Sequence, residues 1–394
     1  MKQKLLFVMG NLNCGGAEKS LISLLQSLDY SKYEVDLFLF KHEGLFFSRV
    51  PEQVHILEEP EFYRHYDMPV MAAVKDSLNK RKPGLAIHRI RAGLIFRTET
   101  HPAVREQRVW KHLSKSLSRL TKRYDAAIGF MEKSPIYYVI EKTNATTKIG
   151  FIHNDYDKLG MDPAIDEFYF RSLDYLVTVS DECGTVLQNR FPDLSSKVQV
   201  IQNIVSPELI HKMSSEKADW SHHEGIKLLS IGRLTFQKGF EWAVEACRRL
   251  VDLGYDLRWY VIGEGEERSS LEKLIAECSL QRNFILLGLK ENPYPYIKEA
   301  DIYVQSSRFE GKSIAIDEAK IMCKPIIVTD FSTAKDQIQD NYNGLIVDMS
   351  PEGLTEGIRR LIDDKELGSK FARNLTEEDL NTESEVEKMY QLVQ

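Results

Sequence analysis

The 394-residue sequence predicts an α/β protein of two doubly wound domains. Three observations lead there. Short apolar runs alternate with helical segments along the chain, the pattern of parallel strands joined by crossover helices. The length exceeds one ordinary domain, and 43% hydrophobic residues with 10% aromatic residues suffice for two cores. A strand-turn-helix stretch, SSRFEGKSIAIDEAKIMCKPIIVTD, carries two carboxylates, Glu310 and Glu318, near the C-terminal edge of a strand, where open α/β sheets bind ligands.

Residues 4–9 (KLLFVM) read as the first strand, GNLNCGGAE as a loop, and residues 17–28 as a helix with Leu21, Leu24, Leu25 and Leu28 at helical spacing. Gly15 and Gly16 stand at that helix's N-terminus. Paired glycines there let backbone approach a ligand, and the helix end offers N–H donors; an ordinary tight turn accounts for them equally. The dinucleotide fingerprint G-x-G-x-x-G is absent. Further strands are predicted at 34–40, 54–57, 125–130, 148–152, 175–179 and 198–201, with residues 61–122 forming an insertion of two or three helices. VIQNIVSPEL, around Asn203, reads as a passage to the second half, and the polar stretch 214–224 as linker. A second cycle follows: a strand at 226–232, a helix at 240–250, the strand LRWYVIG running into Gly263-Glu264-Gly265, then strands at 283–288, 301–305, 325–329 and 344–347. The segment VEKMYQLVQ, from about residue 384, is predicted as an amphipathic helix. The expected domains are 1–205 and 206–380, followed by a terminal helix at 381–394.

Glu310 lies in the turn 306–311, and Glu318 two helical turns later. Two carboxylates eight residues apart cannot both neutralise phosphate. They can accept hydrogen bonds from sugar and ribose hydroxyls while the helix end holds phosphate, a combination that points to a nucleotide sugar. Arg233 and Lys238, five residues apart in the loop after strand 226–232, are placed to neutralise a diphosphate; a pair of exposed loop charges is the plainer alternative. His153 follows strand 148–152 and reads either as a sugar-contacting residue or as a buried structural histidine. Asp155-Tyr156-Asp157 matches the Asp-x-Asp pattern that holds divalent cations, with His153 as a third ligand, but such tripeptides are common. His222-His223 has no further ligands clustered with it in sequence.

In order and spacing, these segments resemble the retaining GT-B glycosyltransferases, in particular glycosyltransferase family 4. The region from Glu310 to Glu318 matches that family's Glu-x7-Glu. GNLNCGGAE, HND at 153–155, SIGRLTFQKG at 230–239, VIGEGEE at 261–267 and NGLIVD at 343–348 extend the resemblance over nearly the whole chain. It implies the GT-B fold: two Rossmann-like doubly wound domains facing a central cleft, an acceptor-binding one and then a nucleotide-sugar-binding one, with the C-terminal helix packing back on the first. It further implies transfer of a sugar, with retention, from a nucleoside-diphosphate sugar to a hydroxyl acceptor such as a lipid-linked cell-surface or exopolysaccharide glycan, with no metal and no cofactor. By the same resemblance, Arg233 and Lys238 bind the diphosphate, Glu310 the donor sugar's hydroxyls and Glu318 the ribose, while His153 holds the sugar from the opposing domain. Gly15 and Gly16 shape the phosphate and acceptor side, Gly263 and Glu264 the loop beside the base. Gly311, Lys312 and Ser313 open the donor helix. The leaving phosphate can take the acceptor's proton, so no protein base is expected. Lys312-Ser313 departs from the Gly-rich or aromatic residues that family members often carry there, and puts a cation near a phosphate or an acidic sugar unless it points to solvent. Two other readings share the architecture: a nucleotide-sugar 2-epimerase and a catalytically silent binding subunit. The glycine pair and the Arg/Lys pair favour transfer.

The five cysteines are scattered and form no C-x-x-C pair, which argues against a disulfide framework or structural zinc and for a reducing compartment. LLFVM is too short for a secretory core, and no apolar window suits a spanning helix, so a cytoplasmic protein is expected. No nucleic-acid partner is expected. The net charge of −7 hides an asymmetry: residues 1–205 carry 28 Lys and Arg against 25 Asp and Glu, and residues 70–123 carry 14 against 3. There Lys80, Arg81, Lys82, Arg89, Arg91 and Arg97 interleave with Leu85, Ile87, Ile90, Leu94, Ile95 and Phe96. Such a segment either lies on an anionic membrane at the inner face of the cell membrane or is a solvated helical face whose apolar residues are core.

Overall fold

The computed structural model describes residues 2–13, 15–220 and 223–393. Its described residues divide into two compact units, one made of residues 2–13, 17–201 and 386–393, the other of residues 15–16 and the described part of 202–385.

Among the described residues of the first unit, seven strands form one parallel sheet: β1 (Gln3–Met9), β2 (Tyr33–Leu39), β3 (His55–Ile56), β4 (Arg123–Gly129), β5 (Asn144–Ile152), β6 (Tyr175–Thr178) and β7 (Val198–Val200), in the order β3-β2-β1-β4-β5-β6-β7. The order reverses between β1 and β4. Leu5 to Met9 are all buried because helices cover both faces of such a sheet, so its central strands read as continuous apolar runs. One face is strongly aromatic: Phe38 stacks on Tyr138 with ring centroids 4.4 Å apart, and Trp110, Tyr124 and Tyr137 fill the same cluster. Asp36, inside β2 and almost fully buried, accepts from Tyr124 Oη at 2.6 Å and Lys122 Nζ at 2.8 Å. Burial would raise its pKa, but the bonds from Lys122, Tyr124 and His55 outweigh that and lower it.

Between β3 and β4 the insertion forms the helices Val70–Asn79, Pro83–Thr98 and Pro102–Leu113. The last two begin with proline, whose missing N–H costs nothing in a first turn. The first two pack through small residues: Ala73, Ser77, Ala86 and Ala92 are buried, and a Cβ on Gly93 would lie 3.1 Å from Val70 Cγ2. The C-terminal helix Glu385–Val393 buries Val386, Met389, Tyr390 and Val393, the i, i+3, i+4, i+7 stripe of an amphipathic helix. Tyr390 stacks on Tyr33 at 5.0 Å, and its hydroxyl accepts from the Asp29 N–H at 2.8 Å.

In the second unit the described strands are β8 (Ile226–Ile231), β9 (Leu257–Ile262), β10 (Phe284–Gly288), β11 (Ile302–Gln305), β12 (Ile326–Thr329) and β13 (Leu345–Val347), all parallel, in the order β10-β9-β8-β11-β12-β13. One core, with Val244, Leu250, Trp259 and Phe284, lies on one face; another, with Tyr260, Tyr294, Ile297, Ile316 and Phe331, lies on the other. Trp259 donates to Ser230 Oγ at 2.9 Å, which donates to the Val304 carbonyl at 2.6 Å, so the buried indole N–H is satisfied. The order reverses between β8 and β11. Carboxyl ends of strands at such a reversal are where doubly wound sheets bind ligands.

Truncating Tyr390→Ala should cost about 3 kcal/mol in urea unfolding, as for other buried aromatics. Tyr390→Phe, which loses only the hydroxyl, should cost about 1 kcal/mol.

Candidate functional site

The loops after β8 and β11 flank the reversal and hold a dense polar cluster. After β8 the chain turns through Arg233 and the 3-10 turn Phe236–Lys238, then enters the helix Phe240–Asp252 through Gly239. Gly239 has φ +60°, and a Cβ there would lie 2.3 Å from the Ser306 carbonyl oxygen, so close approach of the two loops demands glycine. Ser306 Oγ returns the contact by donating to the Lys238 carbonyl at 2.8 Å. Arg308, from the second loop, lies over Phe236 and Trp242 at 3.8 and 4.1 Å and donates to the Phe236 carbonyl and to Glu241.

Glu310 is the centre of this cluster and only 5% exposed. Its Oε1 accepts from Lys238 Nζ at 2.6 Å, Ser307 Oγ at 2.5 Å and Gln305 Nε2 at 2.9 Å, while Oε2 accepts from Gln237 Nε2 at 3.3 Å. Tyr303 Oη donates to Gln305 Oε1 at 2.6 Å, fixing that amide, and Thr333 Oγ1 donates to the Glu310 carbonyl at 3.1 Å. A buried carboxylate is stable only with such partners. Of the sequence-predicted residues, the structure therefore brings Lys238 and Glu310 into direct contact. Arg233 is exposed in the same loop, where its carbonyl accepts from the Thr235 N–H at 2.8 Å.

Gly311, Lys312 and Ser313 lead into the helix Ile314–Ile321. Gln337 ties down its start, accepting from the Ser313 N–H at 2.8 Å and donating to the Ser313 carbonyl and to Asp317 Oδ1. Glu318, 2% exposed, accepts from Tyr294 Oη at 2.9 Å. Lys312 does not point to solvent. Its ammonium donates to Gln202 Oε1 at 3.1 Å and lies 3.8 Å from Asp317. Burial raises the pKa of Asp317 against the opposing pull of Lys312 and Gln337.

Gly263 and Gly265 have a packing reason of their own. A Cβ on Gly263, at φ +155°, would lie 1.9 Å from the Gly232 carbonyl oxygen, and one on Gly265 2.2 Å from that of Leu234. The two glycines thus press their loop against the Arg233 loop. Glu264 pairs with Arg268 at 2.5 Å.

Gly15 and Gly16 stand at the start of the helix Gly16–Ser27, and a Cβ on Gly16 would meet nothing within 4 Å. Packing therefore does not require glycine there. His153 follows β5 and is buried between Phe130 and Phe151, with ring centroids 5.0 and 5.7 Å away. Its N–H donates to Glu132 at 3.3 Å, and its Nε2 is buried without a hydrogen-bond partner. Burial holds the imidazole below its ordinary pKa, with Glu132 opposing. Asp155 accepts from the Asp157 N–H at 3.1 Å and Asp157 pairs with Arg190 at 2.8 Å, so each carboxylate has a local structural partner. Among the described residues no three His, Cys, Asp or Glu side chains gather as a metal site; His222 lies outside them.

Sequence reasoning missed Gln305, Ser307, Gln237, Tyr294 and Arg308. The signal for the first two was a polar pair ending an otherwise apolar strand. Arg308 and Tyr294 gave no local sign, because their partners are distant in sequence.

Residues 214–378 match the model of the glycosyl transferases group 1 family. Solved structures extend the likeness to the whole chain: Anabaena HepE with UDP and glucose aligns at TM-score 0.71 and 14% identity, covering 99% of this chain and 98% of that one. A variant of S. aureus TarM with UDP aligns at TM-score 0.68 and 14% identity, covering 99% of each. The chain has the GT-B fold. Over 379 residues it is 25% identical to a Campylobacter jejuni N-acetylgalactosaminyltransferase acting on a diphospho-undecaprenol glycan, covering 94% of this chain and 93% of that one. It is 30% identical to the alpha-D-kanosaminyltransferase of Streptomyces kanamyceticus over 151 residues, 37% of this chain and 39% of that one. The chain spans 43%, 39% and 58% of the length of three curated glycosyltransferase relatives, the kanosaminyltransferase among them. Together these likenesses support a GT-B glycosyltransferase.

Two outcomes follow from the geometry. The His153 pKa is lower folded than unfolded, so the unfolded chain binds the extra proton, and stability falls as pH drops through about 6.5. His153→Gln should flatten that loss in urea unfolding compared at about pH 7 and about pH 5.5. Tyr294→Phe should leave Glu318 buried with one donor fewer and cost about 1–3 kcal/mol in the same assay.

Proposed function

We propose that this chain transfers a sugar, with retention at the anomeric carbon, from a nucleoside-diphosphate sugar to a hydroxyl of a polysaccharide or lipid-linked glycan. The Lys238–Glu310 contact at the strand-order reversal carries the reading. It sets a cation and a fixed carboxylate side by side, as a donor with a charged diphosphate and neutral sugar hydroxyls requires. Neighbouring structures hold UDP or UDP-glucose, so a uridine donor is the first to test. Arg233 and Lys238 would neutralise the departing diphosphate, where charge builds in the transition state. Glu310 would orient sugar hydroxyls and Glu318 the ribose, with Gly263 and Glu264 beside the base. Gly311, Lys312 and Ser313 would bring the helix start to the donor. His153, neutral because it is buried, would offer its open Nε2 to a sugar hydroxyl, and Gly15 and Gly16 would leave room for phosphate or acceptor. The proton of the acceptor hydroxyl would pass to the leaving phosphate, and no metal enters the scheme.

The test combines binding and product analysis. Thermal shift against nucleoside diphosphates and their sugars should single out one base, with an unchanged response in EDTA. Product NMR should show the donor's anomeric configuration; inversion, or an epimerised donor without transfer, would overturn the reading. Lys238→Ala should lower kcat about 10²–10³-fold. Gly16→Ala should leave the melting temperature unchanged while raising a Michaelis constant, since a Cβ there has room in the protein alone.

A further inference from the structure

The helix Pro83–Thr98 has inverted polarity. Its one long buried side chain is Arg89, while Ile87, Ile90 and Leu94 are 52%, 46% and 56% exposed. Arg89 donates to the His65 carbonyl at 2.8 Å and to the Met68 carbonyl at 2.7 Å. These bonds fix the helix's rotation, so the apolar residues cannot turn inward. Ile87, Ile90 and Leu94 follow i, i+3, i+7 and form one stripe. The helix packed against it, Val70–Asn79, turns Met71 and Leu78 outward at 75% and 54% exposure. Lys75, Arg81, Lys82, Arg91 and Arg97 are exposed on or between the same helices, and none has an acidic partner among the described residues. Lys80, by contrast, pairs with Glu61 and Asp76.

We propose that the outer face of this helix pair docks on an anionic lipid bilayer. The two components of the face ask for the two components of a membrane surface. Isoleucine, leucine and methionine side chains bury at the headgroup–acyl boundary, and unpaired cations meet anionic headgroups. A soluble polyanion would satisfy the cations and leave the apolar stripe wet. A second copy of the chain would cover the stripe and bring two cation clusters together. No helix among the described residues is long and apolar enough to cross a membrane, so this face lies on the bilayer. The same electropositive surroundings act on His88 and His112, whose pKa values are lowered first by burial and then by Arg91 and other nearby basic residues. The face is independent of the proposed reaction, though it would suit a lipid-linked acceptor.

Co-sedimentation of the full chain with phosphatidylcholine vesicles, with and without phosphatidylglycerol, tests it without donor or acceptor. Failure here would therefore leave the transfer reaction standing, and a failed transfer assay would leave the membrane result standing. The expected result is binding to the anionic vesicles only, weakened by salt. Ile87→Ser with Leu94→Ser should reduce it at least about tenfold, as should Lys82→Glu with Arg91→Glu and Arg97→Glu. Both sets change exposed side chains, and circular dichroism melts should match the parent; a set that unfolds is replaced by Leu94→Ser or Arg97→Glu alone. Absence of anionic-vesicle binding would overturn the proposal. So would binding indifferent to the apolar set, the mark of a polyanion site, or sedimentation velocity showing a dimer that Leu94→Ser dissociates.

Discussion

The second unit depends on a buried carboxylate that must be kept satisfied. Glu310 sits at the strand-order reversal with almost no access to water, and the residues around it are what that position requires. Lysine supplies countercharge, while serine and two amides occupy its remaining acceptor positions. Removing one partner would leave a charge stranded in a low dielectric, so the loops after β8 and β11 hold each other in place. Their mutual approach in turn explains Gly239, whose Cβ would strike Ser306, and the stacking of Arg308 between Phe236 and Trp242. On the proposed function, the geometry that would orient a sugar is the geometry that buries the carboxylate.

Much of this was legible in the sequence, and what was not has a common cause. Parallel strands separated by helices leave a local trace, so the two doubly wound sheets could be read from periodicity, including the order in which the strands follow one another. The turns holding Arg233, Lys238 and Glu310 could be placed because each directly follows a strand or opens a helix, and Glu318 because it lies in the helix that follows. The contact between Lys238 and Glu310 spans 72 residues of sequence, and no local pattern encodes it. The same holds for Tyr294 on Glu318, 24 residues away, and for Arg308 on Glu241, 67 away. Gly263 and Gly265 carry a second lesson. The family resemblance put Gly263 in a loop beside the base, yet each glycine is also required by the backbone of the neighbouring loop, so the glycine signal is satisfied without any ligand. Gly16 is the converse, a glycine that packing does not need.

The insertion was legible in composition and not in orientation. Its interleaved arginines and isoleucines fit either a solvated helix with an apolar core face or a surface helix with an apolar outer face. The helical wheel alone cannot decide, because Ile90 and Arg97, seven residues apart, are neighbours on it. Two carbonyls decide it. The His65 and Met68 oxygens capture the Arg89 guanidinium, and small residues, Ala86 and Ala92, fill the inner face that larger ones would otherwise occupy. A polar contact at one residue thus sets the exposure of three apolar ones.

The Lys238–Glu310 pair also bears on how a donor could be bound with selectivity. The Lys238 ammonium already has a partner at 2.6 Å, so a diphosphate bound as proposed would gain only the difference between phosphate and carboxylate as acceptors, less the cost to Glu310 of sharing its lysine. That cost would be bearable because Ser307, Gln305 and Gln237 remain on the carboxylate, and it would shrink further if a sugar hydroxyl donated in the lysine's place. On the proposed function, phosphate and sugar would therefore support each other: a nucleotide without its sugar would leave Glu310 short of a donor, and a sugar without its diphosphate would have no reason to displace the lysine. Coupling of this kind arises wherever two ligand groups compete for, and compensate, one buried ion pair. In the proposed reaction it would let a site built from ordinary loop residues favour the intact donor over either half.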